Sequence, residues 1–115
     1  MSNPSDRLKE PLKLFVKELG NHLELLDKIL GESPTQSEHL ELARKRLESR
    51  FHLMKGSAGF FALKSISEIS SHGEDAMKKA KGDNDAIVAF LKQELPRVIS
   101  KLRTEFKVLE EQYLS

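Results

Sequence analysis

Apolar residues recur along the chain at steps of three and four in four separate stretches, with polar residues between them. Leu12, Phe15, Val16, Leu19, Leu23, Leu26, Ile29 and Leu30 form the first stripe, one face of a 3.6-residue period. This predicts a helix over 11–31. Pro11 fits its first turn, where an N–H is not needed, and Gly31 fits the position just past its end. Gly20 and Asn21 weaken the middle, but the period runs through them. Residues 1–10 read as a short N-terminal lead-in, with Ser5 or Asp6 able to cap one turn. The second stripe is Leu40, Ala43, Leu47, Phe51, Met54, Ala58 and Phe61. It predicts a helix to about Ala58, capped by Ser37 or Thr35, with Glu38 completing a capping box from Thr35. Phe60, Phe61 and Ala62 then make a corner whose rings plug the core.

The third stretch, about Lys64 to Lys81, has Ile66, Ile69, Ala76, Met77 and Ala80 on its apolar face. Its four serines and Gly73 give it weak intrinsic propensity, so it depends on packing. Lys81 and Gly82 end it. Asp83 or Asn84 caps the last helix, whose stripe is Ile87, Val88, Leu91, Leu95, Val98, Ile99, Leu102, Phe106 and Leu109. Pro96 lies inside that stripe, and its phase continues beyond, which predicts a kink. Four amphipathic helices with short connections predict an all-α, antiparallel up-down-up-down four-helix bundle filling 1–115 as one domain.

Composition narrows the function. Nineteen basic residues nearly balance eighteen acidic ones over 115 residues, which argues against a general nucleic-acid binder. No cysteine is present, so disulfides and thiolate metal sites are excluded. No apolar run reaches the length of a membrane span, and Met1 to Asp6 show no secretory pattern. The expectation is a cytoplasmic protein with no membrane association. Met1 and a complete bundle point to a freestanding chain.

Candidate chemistry centres on His52. At about 100° per residue it falls roughly 140° from the middle of the second stripe, facing solvent. Gly56 and Gly59 lie on the same side, and Lys55 is adjacent. Glycine inside a helix costs about 1 kcal/mol relative to alanine, so two of them beside one exposed imidazole suggest that something must approach it. An exposed histidine can be inert, ligate a metal, act as a base, or act as a nucleophile. No metal-ligand spacing links it to His22, His39 or His72, and no paired nucleophile or carboxylate set is visible. Neutral imidazole is a good nucleophile near pH 7. A phosphohistidine awaiting transfer must be reachable by a second protein, which suits the open ring, the glycines and the lysine.

His52-Leu53-Met54-Lys55-Gly56-Ser57-Ala58-Gly59 resembles the H-x-[LM]-K-G-S-A-G signature of histidine-containing phosphotransfer (HPt) domains. The pattern Ile66, Ile69, Glu74, Gly82-Asp83 is similar to the family's third helix and closing turn. The resemblance implies a four-helix bundle that carries a phosphoryl group on His52, at Nε2, between a hybrid histidine kinase or receiver-domain aspartate and another receiver. It implies Lys55 as the phosphate-stabilising lysine, Gly56 as room for the receiver, and Glu74 on the facing helix. A hairpin centred near Phe61 and Ala62 independently brings 71–74 opposite His52, so Ser71, His72 or Glu74 could hydrogen-bond the ring and bias its tautomer. Leu53, Gly56, Gly59 and Phe60 would form the docking surface. Arg50 and Lys45, with Arg44 and Arg46, could complement an acidic receiver pocket.

Three positions depart from the family pattern. Ala62 replaces a glycine, which suits ordinary helical or extended dihedrals at the corner. Gly73 replaces a leucine, which loosens packing, and Pro96 is atypical of the last helix. No nucleotide or magnesium motif is present, so the expectation is a monomeric carrier without cofactor or metal, not an enzyme. The alternative is a non-phosphorylated helical adaptor that docks receivers or kinases. A third reading, a dimerising bundle, rests on the long last helix alone.

Overall fold

The computed structural model describes residues 7–114; the expected caps Ser5 and Asp6 lie outside them. Helix α1 spans Lys9–Glu32, α2 Ser37–Phe60 and α3 Lys64–Lys79. The last rod is continuous: α4 (Asn84–Ala89), a π-helical turn (Phe90–Glu94) and α5 (Leu95–Tyr113). Together these make four antiparallel rods with no strand among the described residues. The predicted stripes are the core. Val16, Leu19, Leu26, Leu47, Phe51, Met54, Ala58, Met77, Ile87, Leu95 and Leu102 are wholly shielded from water. Burying such side chains stabilises by about 1.5–3 kcal/mol each, which is what holds the weakly helical α3 against α2.

The ends of the helices differ from the sequence expectation. Helix α1 runs through Gly31, and the left-handed residue is Ser33 (φ 45°). Ser37 starts α2 rather than capping it. Gln36 is the N-cap, without a side-chain cap bond, and the Ser37 hydroxyl accepts from Asn84 Nδ2 at 3.1 Å. Helix α3 stops at Lys79, and Gly82 (φ +76°) turns the chain. Asp83 does cap α4, its carboxylate accepting from the Ala86 N–H at 3.0 Å. The irregularity expected at Pro96 lies just upstream, where Leu95 N–H reaches the Phe90 carbonyl, five residues back. Proline's ring crowds the preceding turn and supplies no N–H. Widening that turn by one residue relieves the crowding while the helix continues.

The α2–α3 corner corrects a second expectation. The Ala62 N–H bonds to Gly59 O and the Leu63 N–H to Ala58 O, at 3.1 and 2.8 Å. These are the two bonds of a Schellman motif, which requires a left-handed residue between helix end and exit. Ala62 is that residue, with φ 57°, not an ordinary helical or extended one. A left-handed alanine costs roughly 1–2 kcal/mol, and glycine loses about 0.5–1 kcal/mol more in backbone entropy on folding. Ala62→Gly is therefore expected to stabilise the fold by about 0.5–1 kcal/mol, read as a raised urea midpoint. An unchanged midpoint would mean that the corner relaxes to another conformation. Of the corner rings, Phe61 packs on Phe15 (centroids 5.6 Å apart). Phe60 does not plug the core; it is 69% exposed.

Candidate functional site

His52 stands on the outer face of α2, its side chain 67% exposed. The corner folds α3 back along α2 and sets Glu74 opposite it. Glu74 is 1% exposed. One of its oxygens, Oε2, lies 2.6 Å from His52 Nδ1, and the other, Oε1, accepts from Lys55 Nζ at 2.5 Å. Lys78 Nζ, one turn further along α3, is 3.6 Å from Oε2. The Glu74 carboxyl is held down to about 2, first by the Lys55 hydrogen bond. Burial opposes this, while the His52 bond and the charges of Lys55 and Lys78 reinforce it. The same pairing raises the Lys55 pKa.

This arrangement fixes the state of the ring. An ionised carboxylate only accepts hydrogen bonds. Nδ1 must therefore carry the proton, which leaves the lone pair of the neutral ring on Nε2. Of the three candidates on α3, only Glu74 reaches the ring. His72 instead lies 3.8 Å from Glu94.

The surroundings of His52 are open. A Cβ on Gly56 would meet nothing within 4 Å, and one on Gly59 would meet only Ser67 Oγ at 3.9 Å. Leu53 is 56% exposed and, with Phe60, gives an apolar surface flanking the imidazole. Lys45 is exposed; Arg50 is half-buried, its guanidinium donating to His22 Nδ1 at 3.0 Å. Burial and that neighbouring charge lower the His22 pKa to about 4.

Two sequence expectations fail here. Arg44 is not part of a solvent-facing basic cluster. It is buried, bonded to Glu41 (2.7 Å), Glu48 (2.8 Å) and the Met77 carbonyl (3.1 Å). It ties α2 to the last turn of α3, where a carbonyl has no helical partner. Gly73 does not loosen packing either. An added Cβ would sit 2.7–2.8 Å from the Phe51 ring, and Phe51 is fully buried with its edge to Phe90 (centroids 6.3 Å apart).

The polar residues whose burial went unread in the sequence share one signal. Arg44 fits the period of Leu40, Leu47, Phe51 and Met54, and His22 fits that of Leu19, Leu26 and Ile29. Ser70 and Glu74 likewise fall within the period of Ile66 and Met77. A polar residue at an apolar-stripe position is buried and must find a partner. Ser70 alone among the buried side chains described has an oxygen without one.

The model of the family described as the Hpt domain matches residues 10–106. The chain belongs to the Hpt domain family. No curated protein and no solved structure matches it. Hpt domains are phosphotransfer carriers of two-component signalling, exchanging phosphoryl groups with receiver domains and kinases. The matched span includes His52, Lys55 and Glu74, as well as the corner that brings them together. Among the described residues, no three His, Cys, Asp or Glu side chains gather as a metal site, and no helix is long and apolar enough to cross a membrane.

Proposed function

We propose that His52 is the phosphoryl carrier of this Hpt domain, taking the group on Nε2 from a kinase or a receiver aspartate and passing it to another receiver. What carries the reading is the buried, ionised Glu74 bonded to Nδ1 of an exposed imidazole. That bond leaves the nucleophilic lone pair on the solvent side.

With an aspartyl phosphate as donor, the Nε2 lone pair attacks phosphorus. The acyl O–P bond breaks, its electrons return to the aspartate carboxylate, and the N–P bond forms. The ring keeps its Nδ1 proton and becomes cationic. Glu74, 2.6 Å away, offsets that charge, as a carboxylate does for a histidine in acyl transfer. Lys55 stabilises the phosphoryl charge.

Receiver docking falls on Leu53, Gly56, Gly59 and Phe60, an apolar centre. Lys45 and Arg50 lie towards its charged rim. The protein works as a cytoplasmic monomer and needs no cofactor of its own.

His52→Gln is expected to abolish labelling from a radiolabelled phospho-receiver while the helical signal stays unchanged. Wild-type label should be acid-labile and base-stable. Equal labelling of the variant would overturn the assignment. Receiver binding without label in either protein would favour the adaptor reading.

A further inference from the structure

Lys78 stands beside Glu74 without being needed to hold it in the resting state. Both carboxylate oxygens already have close partners, Lys55 on Oε1 and His52 on Oε2. Lys78 Nζ is 3.6 Å from Oε2, within ion-pair range but beyond hydrogen-bond length. Its side chain is 56% exposed, on a flexible four-carbon stem. Lys55, one turn from His52 on the same helix, is engaged by Glu74 at 2.5 Å.

The phosphoryl group brings about two negative charges to Nε2. Lys55 holds a carboxylate that sits on the Nδ1 side of the ring, so turning to a phosphoryl group on Nε2 draws it away from Glu74. Oε2 keeps the ring, now cationic, but Oε1 of the buried carboxylate loses its donor, and a buried acceptor left without its partner is costly. Resting on the reading of His52 as the carrier, we propose that Lys78 takes over Glu74 when Lys55 turns to the phosphoryl group. Lys78 is then a positioning residue. It touches no phosphate and acts by freeing Lys55. No bond is made or broken at either lysine; two ion pairs exchange.

The test uses phosphoramidate, a chemical donor that needs no partner protein. Nε2 attacks phosphorus, ammonia leaves, and 31P NMR follows the N–P product on the full chain. Lys78→Met is expected to slow phosphorylation about fivefold, and Lys78→Arg to restore it to within about twofold, since charge alone is needed. Lys55→Met should slow the wild type at least as much, because it removes the phosphoryl contact that Lys78 only frees. Lys78→Met and Lys78→Arg are expected to melt as the wild type does, since Lys78 is exposed, whereas Lys55→Met should melt lower because it removes the closest donor to buried Glu74.

Wild-type rates in Lys78→Met would overturn the handover. So would a Lys78→Arg variant as slow as Lys78→Met, which would mean that a cation at position 78 does not suffice. Either result leaves His52 as the carrier. A wild type that takes no phosphoryl group at His52, by contrast, overturns the carrier reading and the handover with it.

Discussion

Glu74→Gln is expected to leave the bundle folded and to slow phosphoryl uptake at His52 by roughly 10- to 100-fold. The loss falls below the roughly 10²–10³ of an enclosed oxyanion donor because the ring is open to water. The substitution keeps shape and size, so packing is retained. It changes what faces the ring. The Lys55 ammonium only donates and takes the amide oxygen, which turns the amide NH2 towards His52 Nδ1. Nδ1 must then accept, the proton moves to Nε2, and the nucleophilic lone pair is lost. The charge that offsets the phosphorylated ring is lost as well.

Nitrogen-15 NMR of the imidazole checks the first effect directly. The wild type should show the Nδ1–H tautomer and Glu74→Gln the Nε2–H tautomer. An unchanged tautomer together with an unchanged rate would remove Glu74 from the mechanism. The same variant carries a pH signature. The folded-state pKa of Glu74 lies below its unfolded value, so its contribution to stability is present above the unfolded value and drains as pH falls from about 4.5 towards 2. Glu74→Gln should flatten the stability profile in that window.

Gly73→Ala is expected to destabilise the fold by about 1–2 kcal/mol, although alanine is the better helix former. Forcing atoms into a filled core costs roughly 1–3 kcal/mol, occasionally more, and the propensity gain returns about 1 kcal/mol at most. A Cβ 2.7–2.8 Å from three ring carbons cannot be absorbed by a flexible chain end. The Phe51 ring also packs against Phe90 in a T-shaped contact. In a domain of this length, the melting temperature should fall by about 4–10 °C. Larger residues at position 73 should fail to fold. Phe51→Leu makes room, so Gly73→Ala should cost less in that background than in the wild type. A melting temperature equal to or above the wild type would show that Phe51 and Phe90 repack freely. Because Phe51 adjoins His52 and Gly73 adjoins Glu74, the variant is also expected to lengthen the bond between them.

The sequence alone determined the helices and the exposed histidine among them. The period of three and four is a property of single helices, so each stripe was readable without knowing its neighbours. The exposure of His52 followed from the same rule, as did its place beside Gly56, Gly59 and Lys55. Asp83 announced the start of α4 because capping is local.

Most of what remained depended on residues distant in sequence. Glu74 reads as one of three candidates opposite His52 until α3 folds back on α2 and removes it from water. Its burial and its grip on Nδ1 then arise together. Gly73 reads as a weak point until Phe51 lies against it. Arg44 reads as one of a basic helix face, partly paired with Glu41 and Glu48 of the same helix, until the Met77 carbonyl of α3 bonds it and it is buried. Ala62 reads as ordinary until the hydrogen bonds of the corner demand a left-handed turn. At Glu74, Gly73 and Arg44 the side-chain chemistry was legible, but the dielectric, the space or the deciding partner came from another helix; at Ala62 the corner's own bonds to Gly59 and Ala58 decided. Those surroundings decide whether a carboxylate is solvated or holds a ring, and whether a glycine loosens a core or is required by it.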